Sequence, residues 1–565
     1  MKKFVIFSFL SCLVTGLALT MPGLARAAGE APLTDAETYR LGEQMYLKGL
    51  LPSGKPMQAF VSGDIPVEGT SFTCVSCHLR SGIGSFEGNV ATSPTNGRIL
   101  YQERKPHIKG GSDRVPSYYK YASYFPARPA YTDDSLAELI TDGVDPTGRS
   151  VVEVMPRYEL DDRDMDILIA YLKTLSDKHS PGVTETEIKF ATVIGEDADP
   201  ALVEAMLVPI EFNVKRKNSQ ALTYKNNARL ARMAFNMMGP ELAEKRFSLA
   251  RWVLKGPSST WQEQLEAYYQ ADPVFVLLGG ITGGDWEPIH RFCEEHRIPN
   301  LLPLTDYPVI SDSDWYTLYF SRGIRQEGEA AARWLHSMHD LFADRNIVQV
   351  IRDNRMGNTL AEGFRESWGH AGEATAREML LKGDEPLTAE RLKEAAGGDT
   401  AVLVVWDDAT SLPALEKLAA AEGAPGIILA SGSFLGKEMW NVPETLRKSL
   451  HLTYPHRLPQ DEERFDLAVR VVTMGKNPEN YDQKVLRQSF IIGEMLGSTL
   501  VKMRGEFYRD YFFDVIGMKA DATYPLYERI GFGPGQRYAS KGCYIVQLGA
   551  GETPRLEKKS EWVTQ

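Results

Sequence analysis

The sequence predicts a multidomain protein, in which an all-α segment is followed by a two-lobed α/β segment with parallel sheets. Three observations carry that expectation. A chain of 565 residues is too long for one ordinary core. Capped amphipathic helices flank residues 34–178. From residue 185 onward, short apolar runs alternate with amphipathic helical patterns, which is how parallel sheets covered by helices on both faces are written. The composition, 43% hydrophobic and 24% charged, is that of a globular chain and not of a disordered or membrane-embedded one.

Lys2 and Lys3 precede the apolar run Phe4 to Thr20, and Ala25-Arg26-Ala27 follows it as a small-residue cleavage pattern. Residues 1–27 therefore read as a signal peptide cut after Ala27. An uncleaved anchor is the alternative, but the run is interrupted and shorter than the ~20 residues a spanning helix needs. No later segment offers ~18 uninterrupted apolar residues, so the mature chain is expected in the periplasm without a membrane span. Formal charge is −12, and the signal removes three cations and no acid. With no basic stripe, nucleic acid is a poor partner.

In the first segment, residues 34–178, Thr34 and Glu37 form a capping box that opens a helix. Leu41, Met45 and Tyr46 share its apolar face, and Gly42 lets another helix come close. Cys74-Val75-Ser76-Cys77-His78 supplies two thiols spaced for the two vinyl groups of a haem, followed at once by an imidazole for its iron. A redox dithiol would want a βαβ setting and a zinc site two further ligands, and neither stands nearby. Met155-Pro156 lies in a loop, where a thioether can complete the iron's coordination. Met165 and His107 are rival ligands, although Met165 fits the buried stripe of the helix Asp161 to Leu175 together with Leu168, Ile169 and Leu172. Lys105, Lys109 and Arg114 are either a docking patch for an acidic redox partner or a solvated loop.

Residues about 39 to 175 resemble the monohaem cytochrome c family. The resemblance rests on Gly42 and Tyr46, on Cys74, Cys77 and His78, on Gly143 to Gly148, and on Met155-Pro156 ahead of Leu168, Tyr171 and Leu172. It implies an all-helical fold around one covalent haem c held by Cys74 and Cys77, with His78 and Met155 as axial ligands, and periplasmic redox proteins as partners.

Ser180-Pro181-Gly182 marks a linker, residues 179–184. Beyond it the predicted strands are Ile188 to Ile194, Ser248 to Leu254, Val274 to Leu278, Ile347 to Ile351, Ala401 to Val405 and Gly426 to Leu429. Between them run helical patterns such as Asn226 to Met238, Trp261 to Tyr269, Trp286 to His296, Arg325 to Leu341, Asn358 to His370 and Leu412 to Ala421. Val274 to Gly284, Arg297 to Pro303, Tyr316 to Phe320 and Ile347 to Asn354 give residues 185–550 a resemblance to the type I periplasmic binding protein family, its amino-acid and amide branch of ABC transporter receptors in particular. By matching position, Thr282, Thr305 and Asp306 would line one lobe of a ligand cleft, and Trp406 and Asp407 the other. Gly283 and Met356 depart from the family where a hydroxyl and an aromatic residue are common. Residues 551–565 read as a C-terminal tail.

Cys293 and Cys543 stand alone, so a disulfide between them is open in an oxidising compartment. His290, Cys293 and His296 recur every three residues, but the outer pair diverges by about 120° around a helix. Gly531 to Gly535 lacks the strand and helix of a phosphate loop and reads as a turn. The sequence thus points to an electron carrier joined to a small-ligand-binding module, more a carrier and binder than a catalyst. The alternatives are a solute receptor that serves an ABC permease, for amino acids, amides or small organic acids, and the haem subunit of a periplasmic dehydrogenase.

Overall fold

The computed structural model describes residues 33–87, 90–105, 125–338, 346–372, 376–397, 400–473, 475–533, 535–551 and 554–564. The signal peptide and His107, Lys109 and Arg114 lie outside the described residues.

The first segment runs α1 (Asp35–Lys48), β1 (Gln58–Val61), β2 (Ile65–Glu68), α2 (Cys74–His78), β3 (Phe86–Glu87), β4 (Val90–Ala91), α3 (Gly97–Leu100), α4 (Asp133–Thr141), β5 (Arg157–Glu159) and α5 (Asp162–Thr174). The capping box at α1 forms as its sequence dictates, with Glu37 N donating to Thr34 Oγ1 (3.2 Å) and Thr34 N to Glu37 Oε2 (3.0 Å). Asp161 caps α5 by accepting from Asp164 N (2.8 Å). The two helices cross at Gly42, where a Cβ would lie 2.4 Å from Tyr171 Cβ and 2.9 Å from the Ile167 carbonyl oxygen. The segment is not all-α, which corrects the sequence expectation. β2, β1 and β5 form an antiparallel sheet because Ala59 and Tyr158 stand opposite each other and bury into the same core.

The second segment holds two parallel sheets. In the first lobe, β6 (Glu187–Gly195), β7 (Arg246–Leu254), β8 (Val276–Leu278), β9 (Asn300–Leu301) and β10 (Thr317–Leu318) lie in the order β10-β9-β8-β6-β7. In the second, β11 (Asn346–Arg352), β12 (Arg377–Leu381), β13 (Thr400–Trp406), β14 (Ile427–Ser431) and β15 (Leu450–Tyr454) lie in the order β12-β11-β13-β14-β15. Counted within its own lobe, each sheet reads 2-1-3-4-5 from the edge, so each has a switch point beside its first strand where a crevice opens at the carboxyl ends. The central strands are largely buried because both faces are covered, as in β13, where every residue is buried.

The chain crosses between lobes three times: after β10, after β15, and after the hairpin of β16 (Ala522–Tyr524) and β17 (Tyr527–Ile530). Two crossings run side by side, with Ala539 N donating to Tyr319 O (3.0 Å) and Ser540 N to Phe320 O (2.7 Å). The last returns as β18 (Gly542–Leu548), which pairs antiparallel with β15. Residues 551–565 are not a free tail, since β19 (Leu556–Lys558) and β20 (Val563–Thr564) both pair with β18. Their apolar members have a home there: Leu556 is buried and Trp562 packs on Tyr544.

The linker is likewise fastened, with Ser180 N donating to Phe507 O (3.1 Å) and Arg509 N to Ser180 Oγ (3.0 Å). Cys293 and Cys543 are both free and buried, one under each lobe's core, so the open disulfide does not form. Cys543 Sγ instead faces the Gln326 carbonyl at 3.8 Å.

Candidate functional site

Two sites emerge, one in each segment. In the first, α2 presents Cys74, Cys77 and His78 at positions i, i+3 and i+4, hence on one face of a single turn. Neither Cys74 nor Cys77 is in a disulfide. His78 Nδ1 lies 2.8 Å from the Ser93 carbonyl oxygen, which fixes its proton there and leaves Nε2 as the electron-pair nitrogen. Burial pulls the imidazole down to about 4 and pushes the Cys74 thiol up to about 11, so both are neutral near pH 7. The residue after His78, Leu79, sits at φ 63°, a costly conformation for a branched side chain. Tyr46 Oη of α1 pins it by donating to Leu79 O (2.7 Å).

Met155 lies where the sequence puts it, on a turn closed by Met155 N donating to Val152 O (3.1 Å). It packs against the same apolar cluster as Cys74. Arg157 holds that turn, donating to the Met155 and Val151 carbonyls, and Gly143 at φ 73° makes room for it: a Cβ there would lie 1.9 Å from Arg157 Nε. Tyr158, three residues beyond Met155, donates to Phe72 O, two residues before Cys74. The thioether loop and the thiol helix are thus stitched side by side. Met165 is buried on the inner face of α5, as its spacing implies. Among the described residues no cluster of three or more His, Cys, Asp or Glu side chains could hold a metal ion alone. The donor set of two unpaired thiols, an oriented neutral imidazole and a loop thioether suits a covalently attached haem.

The second site is the cleft between the lobes. Asp285, in the loop after β8, and Arg355, which starts the helix after β11, approach to 3.9 Å from opposite lobes. The carboxyl ends at the two switch points therefore face each other. The Arg355 guanidinium lies 4.0 Å over the Tyr307 ring. Asp306 is exposed and pairs with Lys484 at 3.0 Å, which holds its carboxyl below the usual range. Beside that pair, burial and the Lys484 charge pull His456 down to about 3, and its Nδ1 has no partner among the described residues. Gly283 N donates to Asp197 Oδ1 (3.1 Å), tying the loops after β6 and β8 together.

Of the nominated cleft residues, Thr282 and Thr305 lie half-buried on loops of the first lobe, with Asp306 nearby. Trp406 and Asp407 are corrected, because both are wholly buried and face the interior of the second lobe. Trp406 Nε1 donates to Gln349 Oε1 (2.8 Å). Asp407 accepts two bonds from Arg352, Nε to Oδ1 and Nη2 to Oδ2, both 2.8 Å. The end of β13 was legible but not the direction of its last side chains. Lys484, Arg355 and His456 were missed, and only the fold brings Lys484 to Asp306 across 178 positions.

The remaining candidates are structural. His290 bonds Asp314 (2.9 Å) and Tyr319 Oη (2.9 Å), His296 bonds Glu266, and the Gly531 to Gly535 stretch contains a turn with Gln536 N donating to Gly533 O (3.0 Å).

No protein-family model and no curated protein matches the chain. Solved structures similar to it include a putative branched-chain amino acid ABC transporter from Rhodospirillum rubrum, at 13% identity and TM-score 0.49, which covers 66% of this chain and 100% of that one. An ABC transporter substrate-binding protein from Sphaerobacter thermophilus, at 12% identity and TM-score 0.47, covers 67% of this chain and 98% of its own. A solute-binding protein from Rhodopseudomonas palustris BisB5, in complex with 3,4-dihydroxy benzoic acid, stands at 11% identity and TM-score 0.46, with 67% and 98% covered. Among the described residues no helix is long and apolar enough to cross a membrane.

Proposed function

We propose that this chain is an exported, periplasmic solute receptor of the type I binding-protein kind, which closes its two lobes on a small organic ligand and presents it to an ABC permease. The observation that carries this reading is the approach of Asp285 and Arg355 from opposite lobes, at the carboxyl ends of two sheets with the same strand order. The cleft residues include the acids Asp285 and Asp306 and the cations Arg355 and Lys484, so the cleft suits a ligand with a carboxylate and a polar or cationic group. A thermal-shift panel of amino acids, amides and small organic acids tests it. A ligand at a hundredfold excess over its Kd raises stability by about 2.7 kcal/mol, and the shift should vanish in Arg355→Ala. A flat panel sinks the receptor reading.

A second function is favoured by the bond from His78 Nδ1 to Ser93 O. The first segment would hold one haem c, joined covalently through Cys74 and Cys77, with His78 Nε2 and Met155 Sδ as the atoms that would bind its iron. When bound, such a group supplies one-electron transfer, and His/Met ligation leaves no open position for substrate. The chain's own part is to hold the imidazole through Ser93, to fix the thioether turn through Arg157 and to exclude water with the α1 and α5 core. Its partners are periplasmic redox proteins. Met155→Ala should abolish the sulfur-to-iron charge-transfer band and leave the covalent haem in place. Retention of that band removes Met155 from the assignment, and absence of covalent haem from the wild-type protein removes the reading altogether.

A further inference from the structure

A cavity of about 290 Å³ lies at the joint between the two segments, outside the interlobe cleft. One wall is the outer face of α2: Val75, Ser76 and Leu79 fall on the side opposite Cys74, Cys77 and His78. The first lobe supplies the other wall, with Trp315, Phe513 and Phe532. Most of the lining is therefore aromatic or aliphatic.

Three buried donors at this cavity, Arg80 Nε, Trp315 Nε1 and Arg537 Nε, lack hydrogen-bond acceptors among the described residues. Arg537 is only 9% exposed and lies 3.7 Å over the Trp315 ring. Its Nε has no hydrogen-bond partner and its guanidinium makes no ion pair among the described residues. Trp315 Nε1, which can only donate, is also buried without a partner. The neighbouring cation has its charge paired, since Arg80 Nε stands 3.3 Å from Asp510, although that Nε makes no hydrogen bond. The neighbouring acids are engaged elsewhere: Glu294 accepts from Trp315 N (2.8 Å) and Tyr316 N, and Asp514 accepts from Ser81 N (2.9 Å) and Arg80 N (3.4 Å), while burial pushes Asp514 up to about 7, which weakens it as a counter-charge. A buried, unmatched guanidinium is costly, and an anion that enters with it relieves the cost. A carboxylate matches the planar fork of an arginine, and a flat ring matches the aromatic walls.

We propose that this cavity is a second ligand site, for a small aromatic monocarboxylate whose carboxylate meets Arg537 and the Trp315 indole N–H while its ring lies among Phe513, Phe532 and Leu79. A ligand there touches the back of the helix that carries Cys74 and His78. It therefore binds both segments at once and strengthens their joint.

The full chain as purified tests this by calorimetric titration with benzoate, and with benzamide as the uncharged analogue. Benzoate should bind, benzamide at least tenfold more weakly. Arg537→Gln should weaken benzoate at least tenfold. Met518 is half-exposed at the cavity, so Met518→Trp should block the space without disturbing the core and give the same loss. Lys417→Gln, exposed on the helix Leu412–Ala419 and outside both sites, should leave the benzoate isotherm unchanged, and Lys484→Gln serves as the cleft variant. Absence of benzoate binding, equal binding of benzamide, or a loss confined to Lys484→Gln overturns the proposal. The last outcome would leave the receptor reading standing, so the two fail separately.

Discussion

Asp407 separates a structural acid from a ligand-binding one. Its carboxylate is fully buried, takes both bonds of the Arg352 fork and also accepts from Asp408 N (2.9 Å). Arg352 spends its remaining Nη1 donor on the carbonyls of Gly383 (2.9 Å) and Glu385 (2.7 Å), which keeps the guanidinium in place after the acid is removed. Asp407→Ala therefore strands a buried cation that cannot swing out to water. Breaking a buried pair from one side costs about 3–5 kcal/mol, a third or more of a typical domain's stability. At roughly 2–4 °C per kcal/mol for a lobe-sized unit, the second lobe should melt about 6–20 °C lower. Replacing both partners, Arg352→Met with Asp407→Leu, should recover most of that loss, because well-packed apolar residues can stand in for a buried pair at little cost. Calorimetric melting of the wild type, both single variants and the double variant closes the cycle. If Asp407→Ala melts with the wild type while solute binding disappears, the side chain belongs to the ligand and the geometry has been misread.

Gly42→Leu should separate α1 from α5, because the new Cβ meets the Ile167 carbonyl, which cannot move aside; limited proteolysis should then cut within residues 35–48 at least tenfold faster. Gly143→Ala should displace Arg157 and loosen the Met155 turn, so under the proposed haem reading a sulfur-to-iron band should weaken while the covalent haem content is unchanged. Asp514 gives a pH signature. Its folded-state value is raised from 3.8 to about 7, so the folded chain holds a proton that the unfolded chain has released. Its contribution is greatest below pH 4 and is lost as pH rises through 7, at about 1.4 kcal/mol per pH unit within that window. Asp514→Asn should remove that part of the slope in pH-dependent denaturant melts and raise stability at pH 8; an unchanged slope refutes the assignment.

What the sequence disclosed follows from how local each determinant is. Thr34 with Glu37 acts within three residues, and that capping box forms as the sequence reads, while the structure adds Asp161 as the cap of α5. The run Ile188 to Ile194 is apolar apart from Lys189 and Thr192, as suits a strand covered on both faces, and β6 extends one residue beyond it at each end. The 27-residue helix Pro200–Asn226 was hidden because it carries Pro209 inside, a residue that normally ends a helix. Tyr158 looked like part of a loop after Met155, yet its strand exists because Ala59 waits about a hundred positions earlier to pair with it. Side-chain direction at a strand end is set by the neighbouring strands, which is why Trp406 and Asp407 were nominated for the cleft and turned out to serve the core.

The joint between the segments shows why the two proposed functions belong to one body. The helix Arg509–Gly517 is part of the first lobe: Arg509 buries its guanidinium on the carbonyls of Val274 and Phe275, at the start of the strand region that leads to the cleft. One turn further on, the same helix offers Asp510 to Arg80 and Asp514 to the amides of Arg80 and Ser81, the residues that follow His78. A second clamp, Arg297 of the first lobe to both carboxylate oxygens of Glu43 on α1 (2.6 and 2.8 Å), fixes the opposite side. Two separated clamps resist rotation where one would allow a hinge. The first segment therefore moves with the first lobe, and closure of the cleft is movement of the second lobe toward that pair. Any influence of a ligand in the cleft on the His78 site must pass through the first lobe's own strands and the helix Arg509–Gly517, because shifting the joint would break buried bonds.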